Sequence, residues 1–382
     1  MPPPIEWKAP NTAPRAAPAK ALAAWRQAVA ARPDSGEFRL MLARMLYDRG
    51  LYGEIEPLLA GDLGTALEAQ ADYQRGRAAL QLKDGARAVA LLRRAVEAAL
   101  SGANGELATA LRRTGKADEA IAAARHGLKR DPVDIACCRV LGTTLLERGR
   151  ADEAYAFARD LWARGIHRTQ VVWTLAFAAR MLGRDEEFAI LTAREPWFAQ
   201  LRLALDDAAL AREILANDTL TESHAYKPTK GGVLRIDDFE SVAGPEIARF
   251  HQAVRDAVAN YRASRGGWAT HPAIAGWPRR MALDSWALAM NDSGFEDWHI
   301  HAGAWLSGVY YVRVPRGTGT EGCIGFGALP AAARLAGTPV AEWTLAPEPG
   351  ALILFPSWYA HRTWPTGSTQ TRISIAFNAQ PA

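Results

Sequence analysis

The run Arg372-Ile373-Ser374-Ile375-Ala376-Phe377-Asn378 alternates polar or small side chains with large apolar ones at every second position. On an extended chain successive side chains point to opposite faces. Arg372, Ser374 and Asn378 therefore share one face, while Ile373, Ile375 and Phe377 share the other. Such a strand packs one face into an apolar core and turns the other toward a polar interior. Upstream, short apolar or alternating runs broken by Gly and Pro give further candidate strands at Asp284–Met290, Trp305–Val314, Cys323–Gly327 and Ala351–Phe355. Pro349-Gly350 reads as a turn, and Pro315–Gly322 as a mobile glycine-rich hairpin tip. A strand series of this kind forms an antiparallel sandwich or barrel, and a jelly roll, the double-stranded β-helix, fits it best. Before it, Val233–Phe239 predicts a strand. Pro245–Ser264, with Ile247, Phe250, Val254, Val258 and Tyr261 at helical spacing, predicts a supporting helix.

Two imidazoles, His299 and His301, stand at positions i and i+2 and share a face wherever the chain is extended. His361 follows Phe355-Pro356-Ser357-Trp358-Tyr359-Ala360, a turn at the end of a hydrophobic strand, so a rolled sheet can bring it to the pair. Three such ligands leave positions on a metal open for substrate and oxygen. A His-x-His by itself is weak evidence, because surface or hydrogen-bonded histidines give the same pattern. The rest of the spacing strengthens it, since His361 lies eleven residues before the inward-facing Arg372. An arginine inside a barrel needs an anion. Its planar fork either holds a ligand carboxylate, with the Ser374 hydroxyl adding a third hydrogen bond, or pairs with an internal Asp or Glu.

A His-x-Asp-like pair, a distal histidine and then Arg-x-Ser resembles the 2-oxoglutarate and iron(II)-dependent oxygenases. Trp286, Asn291, Leu306-Ser-Gly-Val-Tyr-Tyr311, Pro349-Gly350, Phe355-Pro-Ser357, His361 and Arg372–Asn378 are together similar to a bacterial subgroup of that superfamily, over about the last hundred residues. The resemblance implies a non-haem iron dioxygenase that couples decarboxylation of 2-oxoglutarate by O2 to oxidation of a C–H bond, usually hydroxylation. It implies His299, His301 and His361 as Fe(II) ligands and Arg372 with Ser374 as the grip on the C5 carboxylate. Asn291, Asn378 and Tyr310, or Tyr311 if that is the inward-pointing one, are further expected contacts of the co-substrate. The superfamily carries Asp or Glu where this chain has His301. An imidazole there raises the charge of the site by one unit. Alternatively His301 lies outside the ligand set, and Glu296, Asp297 or Asp292 supplies an oxygen. Eight of the thirteen tryptophans fall between Trp268 and Trp364, and Trp298, Trp305, Trp358 and Trp364 flank the candidate ligands. They either line a substrate mouth or fill a small core. Arg362, beside His361, either meets a substrate carboxylate or faces solvent.

The N-terminal half has a different texture. Thr114-Gly-Lys-Ala-Asp-Glu-Ala120 and Arg148-Gly-Arg-Ala-Asp-Glu-Ala154 place Gly115 and Gly149 34 residues apart, and Gly183 falls 34 further on. Weaker copies lie around Arg49-Gly50 and Lys83-Asp84-Gly85, so about five two-helix units are expected between residues 20 and 196. Small residues such as Ala120 and Ala154 allow close helix approach, and Leu107, Leu111, Ile121 and Leu128 form the buried seam. Asp131-Pro132 closes one unit, because proline cannot continue a helix. The array resembles the tetratricopeptide repeat family, with degenerate first units. That resemblance implies a concave face able to hold an extended peptide. Arg112, Arg113, Arg148 and Arg150 are candidates for an acid-binding groove, or simply solvated.

The expected organisation is thus α+β and multidomain. A flexible Pro/Ala-rich arm covers 1–19, an all-α helical-repeat solenoid 20–196, a helical linker 197–232 and the jelly roll 233–382. Within the linker, Trp197–Ala216 predicts one or two more helices and Asn217–Gly232 a loop. With 382 residues and 49% hydrophobic content there is material for two cores. A formal charge of +4 spread along the chain gives no reason to expect nucleic acid. No apolar run spans a bilayer and residues 1–20 lack a signal-type apolar core, so a cytoplasmic protein without membrane attachment is expected. Three cysteines, Cys137, Cys138 and Cys323, make no disulfide framework and are expected to be simply buried. The fusion predicts a hydroxylase whose repeats capture a peptide or protein substrate, an arrangement that some collagen-type prolyl hydroxylases resemble. A small-molecule hydroxylase with repeats used for assembly, and a non-catalytic repeat adaptor with a vestigial barrel, are the alternatives.

Overall fold

The structure, a computed structural model, describes residues 4–9, 18–223, 227–265, 277–315, 319–327 and 342–382. Helical hairpins come first and an antiparallel sheet domain follows. The described residues divide into two compact units. One runs from residue 18 to 157 and includes Lys227, and the other gathers residues 158–223 with the described residues of 4–9 and 228–382.

In the first unit the hairpins Thr65–Gln81/Gly85–Glu97 and Ala103–Arg113/Ala117–Arg130 are regular. The unit before them is irregular: Gly36–Asp48 is followed by a short 3-10 turn, Tyr52–Glu54, and one helical turn, Ile55–Leu58. Gly115 and Gly149 recur for a backbone reason. Each follows a helix end with φ of 80° and 69°, and the next residue's N–H returns to a carbonyl five positions back, Lys116 to Leu111 and Arg150 to Leu145 (both 2.9 Å). That closure favours a residue without Cβ. In the degenerate copy Lys83 takes the same left-handed region. Ala120 and Ala124 are fully buried. Of the arginines expected to mark a groove, Arg112 is bound to Glu147 (2.8 Å) and Arg150 to Glu153 (2.6 Å).

The second unit opens with the C-terminal part of Ala151–Ala163 and the hairpin Thr169–Met181/Asp185–Thr192. The expected linker differs from what is observed. Ala199–Arg202 is a strand, paired antiparallel with Ala351–Leu354, and only Asp207–Leu215 of that stretch is helical. Four residues are too few for a period to declare itself, and an edge strand needs only one partner. The expected loop 217–232 contains two-residue strands at Thr221–Glu222 and Thr229–Lys230. Within the stretch expected as a flexible arm, Glu6–Trp7 pair in parallel with Arg280–Met281, and most of the remainder lies outside the described residues. So does the centre of the expected hairpin tip at 315–322.

The major sheet places Arg372–Pro381 between Arg280–Met290 and Leu306–Arg313, with Ala351–Pro356 beyond the latter. A minor sheet orders Trp343–Leu345, Ile324–Gly327 and Ala360–Thr363. These are the two sheets of a jelly roll. The alternation works as expected: Ile373, Ile375 and Phe377 join Ile247, Phe250 and Val254 of helix Pro245–Ala263 in one buried cluster. Arg372 and Ser374 turn the other way, into a cavity closed by both sheets. Gly308 permits this packing, since a Cβ there would stand 2.4 Å from Phe377 Cζ and 2.9 Å from the Ile353 carbonyl oxygen. Among the described residues no helix is long and apolar enough to cross a membrane, and all three cysteines are buried and outside any disulfide.

Candidate active site

His299 and His361 are brought together by the backbone. They form an isolated antiparallel bridge in which each N–H donates to the other's carbonyl, both at 3.0 Å. Directly opposed residues in such a bridge project from the same face. His301, two residues on, is fixed by its own N–H donating to the Ser357 carbonyl (3.2 Å). The three rings consequently cluster, with one ligand atom of each lying within 4.8 Å of the others.

The outer nitrogen of each ring is already committed to oxygen. His299 Nδ1 lies 2.7 Å from the Asp297 carbonyl, His361 Nδ1 lies 3.0 Å from the Tyr359 carbonyl, and His301 Nδ1 lies 2.6 Å from Asn378 Oδ1 and 2.8 Å from Ser307 Oγ. A carbonyl can only accept, so Nδ1 of His299 and of His361 carries the proton and Nε2 keeps its lone pair. Neutral imidazoles presenting Nε2, with Nδ1–H held from behind, are what a divalent metal requires of histidine. The donor set fits an iron ion, and among the described residues the cluster contains no carboxylate. The alternative in which Glu296, Asp297 or Asp292 replaces His301 in the cluster has no geometric support. Burial, and then the repulsion its charged form would meet from a charged form of His299 or His301, hold the pKa of His361 well below the usual imidazole range.

Arg372 is 1% exposed. Its Nη1 donates to the carbonyls of Gly322 (3.2 Å) and Trp364 (3.4 Å), and its Nη2 to Thr363 Oγ1 (3.2 Å) and the Met290 sulfur. All of these partners are neutral, and Nε has none. No carboxylate of the described residues lies within ion-pair distance, so the internal salt bridge considered from sequence is absent. Burial lowers the pKa of this guanidinium. A buried cation with no carboxylate in contact is costly, and a bound carboxylate lowers that cost. Ser374 lines the same cavity, 4% exposed.

Three expected contacts need correction. Tyr310 points away from the cavity, into the core, and its hydroxyl donates to Asp207. Its neighbour Tyr311 lines the cavity, and its buried hydroxyl has no partner. Strand parity decides this, because Tyr311 is register partner of Ser374 while Tyr310 is register partner of Ile375. Asn291 is exposed beyond the end of its strand, near Thr371. Asn378 holds His301 instead of facing the co-substrate region. Arg362 is bound to Glu342 (2.9 Å) and lies over the rings of Trp298 and Trp364. Ser307 and Thr363 were not singled out from sequence. Ser307 shares the parity of Tyr311 and was therefore readable, whereas the carbonyls of Asp297 and Tyr359 leave no trace in side-chain pattern.

Residues 284–378 match a family described as "Putative 2OG-Fe(II) oxygenase". That segment contains all three imidazoles, Arg372 and Ser374. The chain therefore carries a 2-oxoglutarate/Fe(II) oxygenase domain after its tetratricopeptide-like repeats, and it is a dioxygenase whose cofactors are Fe(II) and 2-oxoglutarate. Solved structures similar to it include a Pseudomonas putida prolyl-4-hydroxylase, at 14% identity over 50% of this chain and 95% of that one, with a TM-score of 0.35. YrrB, a tetratricopeptide protein with an unusual peptide-binding site, shares 16% identity over 44% of this chain and 88% of its own, with a TM-score of 0.34. The non-haem α-ketoglutarate-dependent epimerase SnoN of nogalamycin biosynthesis shares 16% identity over 52% of this chain and 84% of its own, with a TM-score of 0.35. No curated protein matches the chain.

Proposed function

We propose that His299, His301 and His361 hold the iron, that Arg372, Ser374 and Tyr311 receive the C5 carboxylate of 2-oxoglutarate, and that the substrate is a peptide or protein held by the repeats. The observation that carries the reading is the convergence of three imidazoles whose outer nitrogens are all committed to oxygen, next to a buried guanidinium with no carboxylate in contact and a free Nε. Iron with 2-oxoglutarate supplies the oxidising power from O2, leaving succinate and CO2.

The chain's own residues bind, orient and exclude water. Arg372 offers a rigid fork to a planar carboxylate, and the Tyr311 hydroxyl offers a further donor. Leu288, Val309, Ile324 and Phe355 make much of the remaining wall apolar. That limits water around the reacting groups and strengthens each polar contact.

A groove in the repeat unit supports a polypeptide substrate. Arg44, Tyr73, Gln74 and Arg77 line it, and Gln74 Oε1 is buried with no partner. An amide oxygen in that condition suits the backbone N–H of an extended chain. The test is incubation with Fe(II), 2-oxoglutarate and a cell-extract peptide library, read by mass spectrometry. A +16 shift on a defined peptide is expected, reduced by Gln74→Ala while substrate-free succinate formation continues. No shifted peptide, with succinate formation driven by a small metabolite, would overturn the peptide reading.

A further inference from the structure

The cavity that holds His301, His361 and Arg372 also contains an acid for which the reaction above has no task. Glu296 is 7% exposed and lines that cavity. Its backbone is pinned, pairing with Thr229 and donating its N–H to Thr363 Oγ1 (2.9 Å). The same hydroxyl accepts from Arg372 Nη2 (3.2 Å), so acid and guanidinium hang from one threonine. Yet the two make no ion pair, and among the described residues no donor is within hydrogen-bond distance of the Glu296 carboxylate. The carboxylate thus acts on Arg372 through space, without a direct contact.

A charge count gives it a role. Three neutral imidazoles contribute nothing, Arg372 contributes +1, a divalent metal +2 and 2-oxoglutarate −2, which leaves a dry cavity with one uncompensated positive charge. Glu296 brings the sum to zero. We propose that Glu296 is the charge-balancing residue of this metal site, acting across the cavity without ligating the metal. The proposal rests on the three-imidazole reading. It casts Glu296 as a positioning residue with opposite effects on the two bound species: it attracts the cation and repels the dianion.

The test uses the full chain with Co(II) as the metal, titrated by its ligand-field absorbance, and 2-oxoglutarate titrated calorimetrically into the Co(II)-loaded protein. Glu296→Gln keeps the shape and removes the charge. It is expected to weaken Co(II) about tenfold and to tighten 2-oxoglutarate by a similar factor, whereas Glu296→Asp leaves both near the native values. Moving the charge onto the ligand set, as H301D in the E296Q background, is expected to restore Co(II) affinity. If E296Q does not fold, H301D alone carries the test: with Glu296 present the site is then overcharged, and 2-oxoglutarate is expected to weaken about tenfold. Native affinities for both species in E296Q, or a loss of both, would overturn the proposal, as would unchanged 2-oxoglutarate affinity in H301D. Native Co(II) affinity in His301→Ala would instead defeat the three-imidazole reading itself.

Discussion

The Nε2 atoms of His299 and His301 face each other at 3.1 Å, and the Nδ1 atom of each is held by oxygen. Two lone pairs aimed at one point repel unless a cation stands between them. Ligands at right angles about 2.1 Å from a shared ion stand about 3 Å apart, so this pair stands at the spacing that two ligands of one ion take.

That arrangement ranks the variants of the cluster. His361→Ala is expected to abolish Co(II) or Fe(II) binding. Asn378→Ala, which leaves the outer nitrogen of His301 only the Ser307 hydroxyl, is expected to weaken it about tenfold with the fold intact. Metal titration alongside circular dichroism checks both. Native affinity in Asn378→Ala would show that His301 needs no brace.

Tyr311 and Arg372 are expected to separate binding of the co-substrate from binding of the metal. The Tyr311 hydroxyl is buried without a partner in the ligand-free chain, and an unsatisfied buried hydroxyl costs about 1–3 kcal/mol. Tyr311→Phe should therefore raise thermal stability slightly while weakening 2-oxoglutarate several-fold. Arg372→Ala should weaken it far more, and Arg372→Lys should not recover it, because a point charge cannot replace the fork. Calorimetric titration on Co(II)-loaded protein and a melting curve give the two signs. A Tyr311→Phe protein that is less stable and binds 2-oxoglutarate normally would contradict the assignment.

Much of this site was legible because strands alternate. The inward set Arg372, Ser374 and Asn378 followed from parity alone, and parity also chooses Tyr311 over Tyr310 once the register with Ser374 is known. Register is a tertiary property, and no spacing in the sequence supplies it. The bridge between His299 and His361 was likewise inaccessible, since it joins residues 62 positions apart through their backbones. The repeats were easier, as a glycine in a left-handed cap leaves its mark in the sequence and Gly115 and Gly149 do so in register. Where that mark was missing, at Lys83, the helix still ended, with an exposed lysine itself in the left-handed region.

Acid sensitivity of the sheet unit is expected to trace in part to His251. This ring is 3% exposed, packs against Phe239 and Phe250, and has Nε2 2.9 Å from Ser285 Oγ. Burial, then the Arg255 charge, lowers its pKa from 6.5 to about 3. A group with a depressed folded-state pKa that is neutral when folded is protonated in the unfolded chain first. Its contribution is therefore complete above pH 6.5 and falls as the pH drops toward 3, by up to about 1.4 kcal/mol per unit. Urea melts at pH 7 and pH 5 should show a smaller loss for His251→Gln than for the native chain. Parallel losses would clear His251.

The last helical hairpin braces both ligand-bearing segments, so the catalytic part of the chain should not survive removal of residues 1–196. Thr169 Oγ1 donates to the Ala304 carbonyl (2.7 Å), three residues after His301. Trp358 Nε1 donates to the Leu191 carbonyl (2.8 Å) and the Tyr359 hydroxyl to the Ala193 carbonyl, just before His361. Trp173 and Phe177 of that hairpin share an apolar pocket with Phe326 and Trp358. Losing these partners would expose large aromatic surfaces and leave buried polar groups unpaired, at about 1–3 kcal/mol for each polar group. A chain starting at residue 158, which keeps all of the compact unit but its N-terminal segment, is expected to melt cooperatively and bind Co(II) like the full protein. One starting at residue 197 is expected to aggregate or bind Co(II) at least tenfold more weakly. A soluble 197-start chain with native Co(II) affinity would show that the hairpin is only a passenger on the sheet domain.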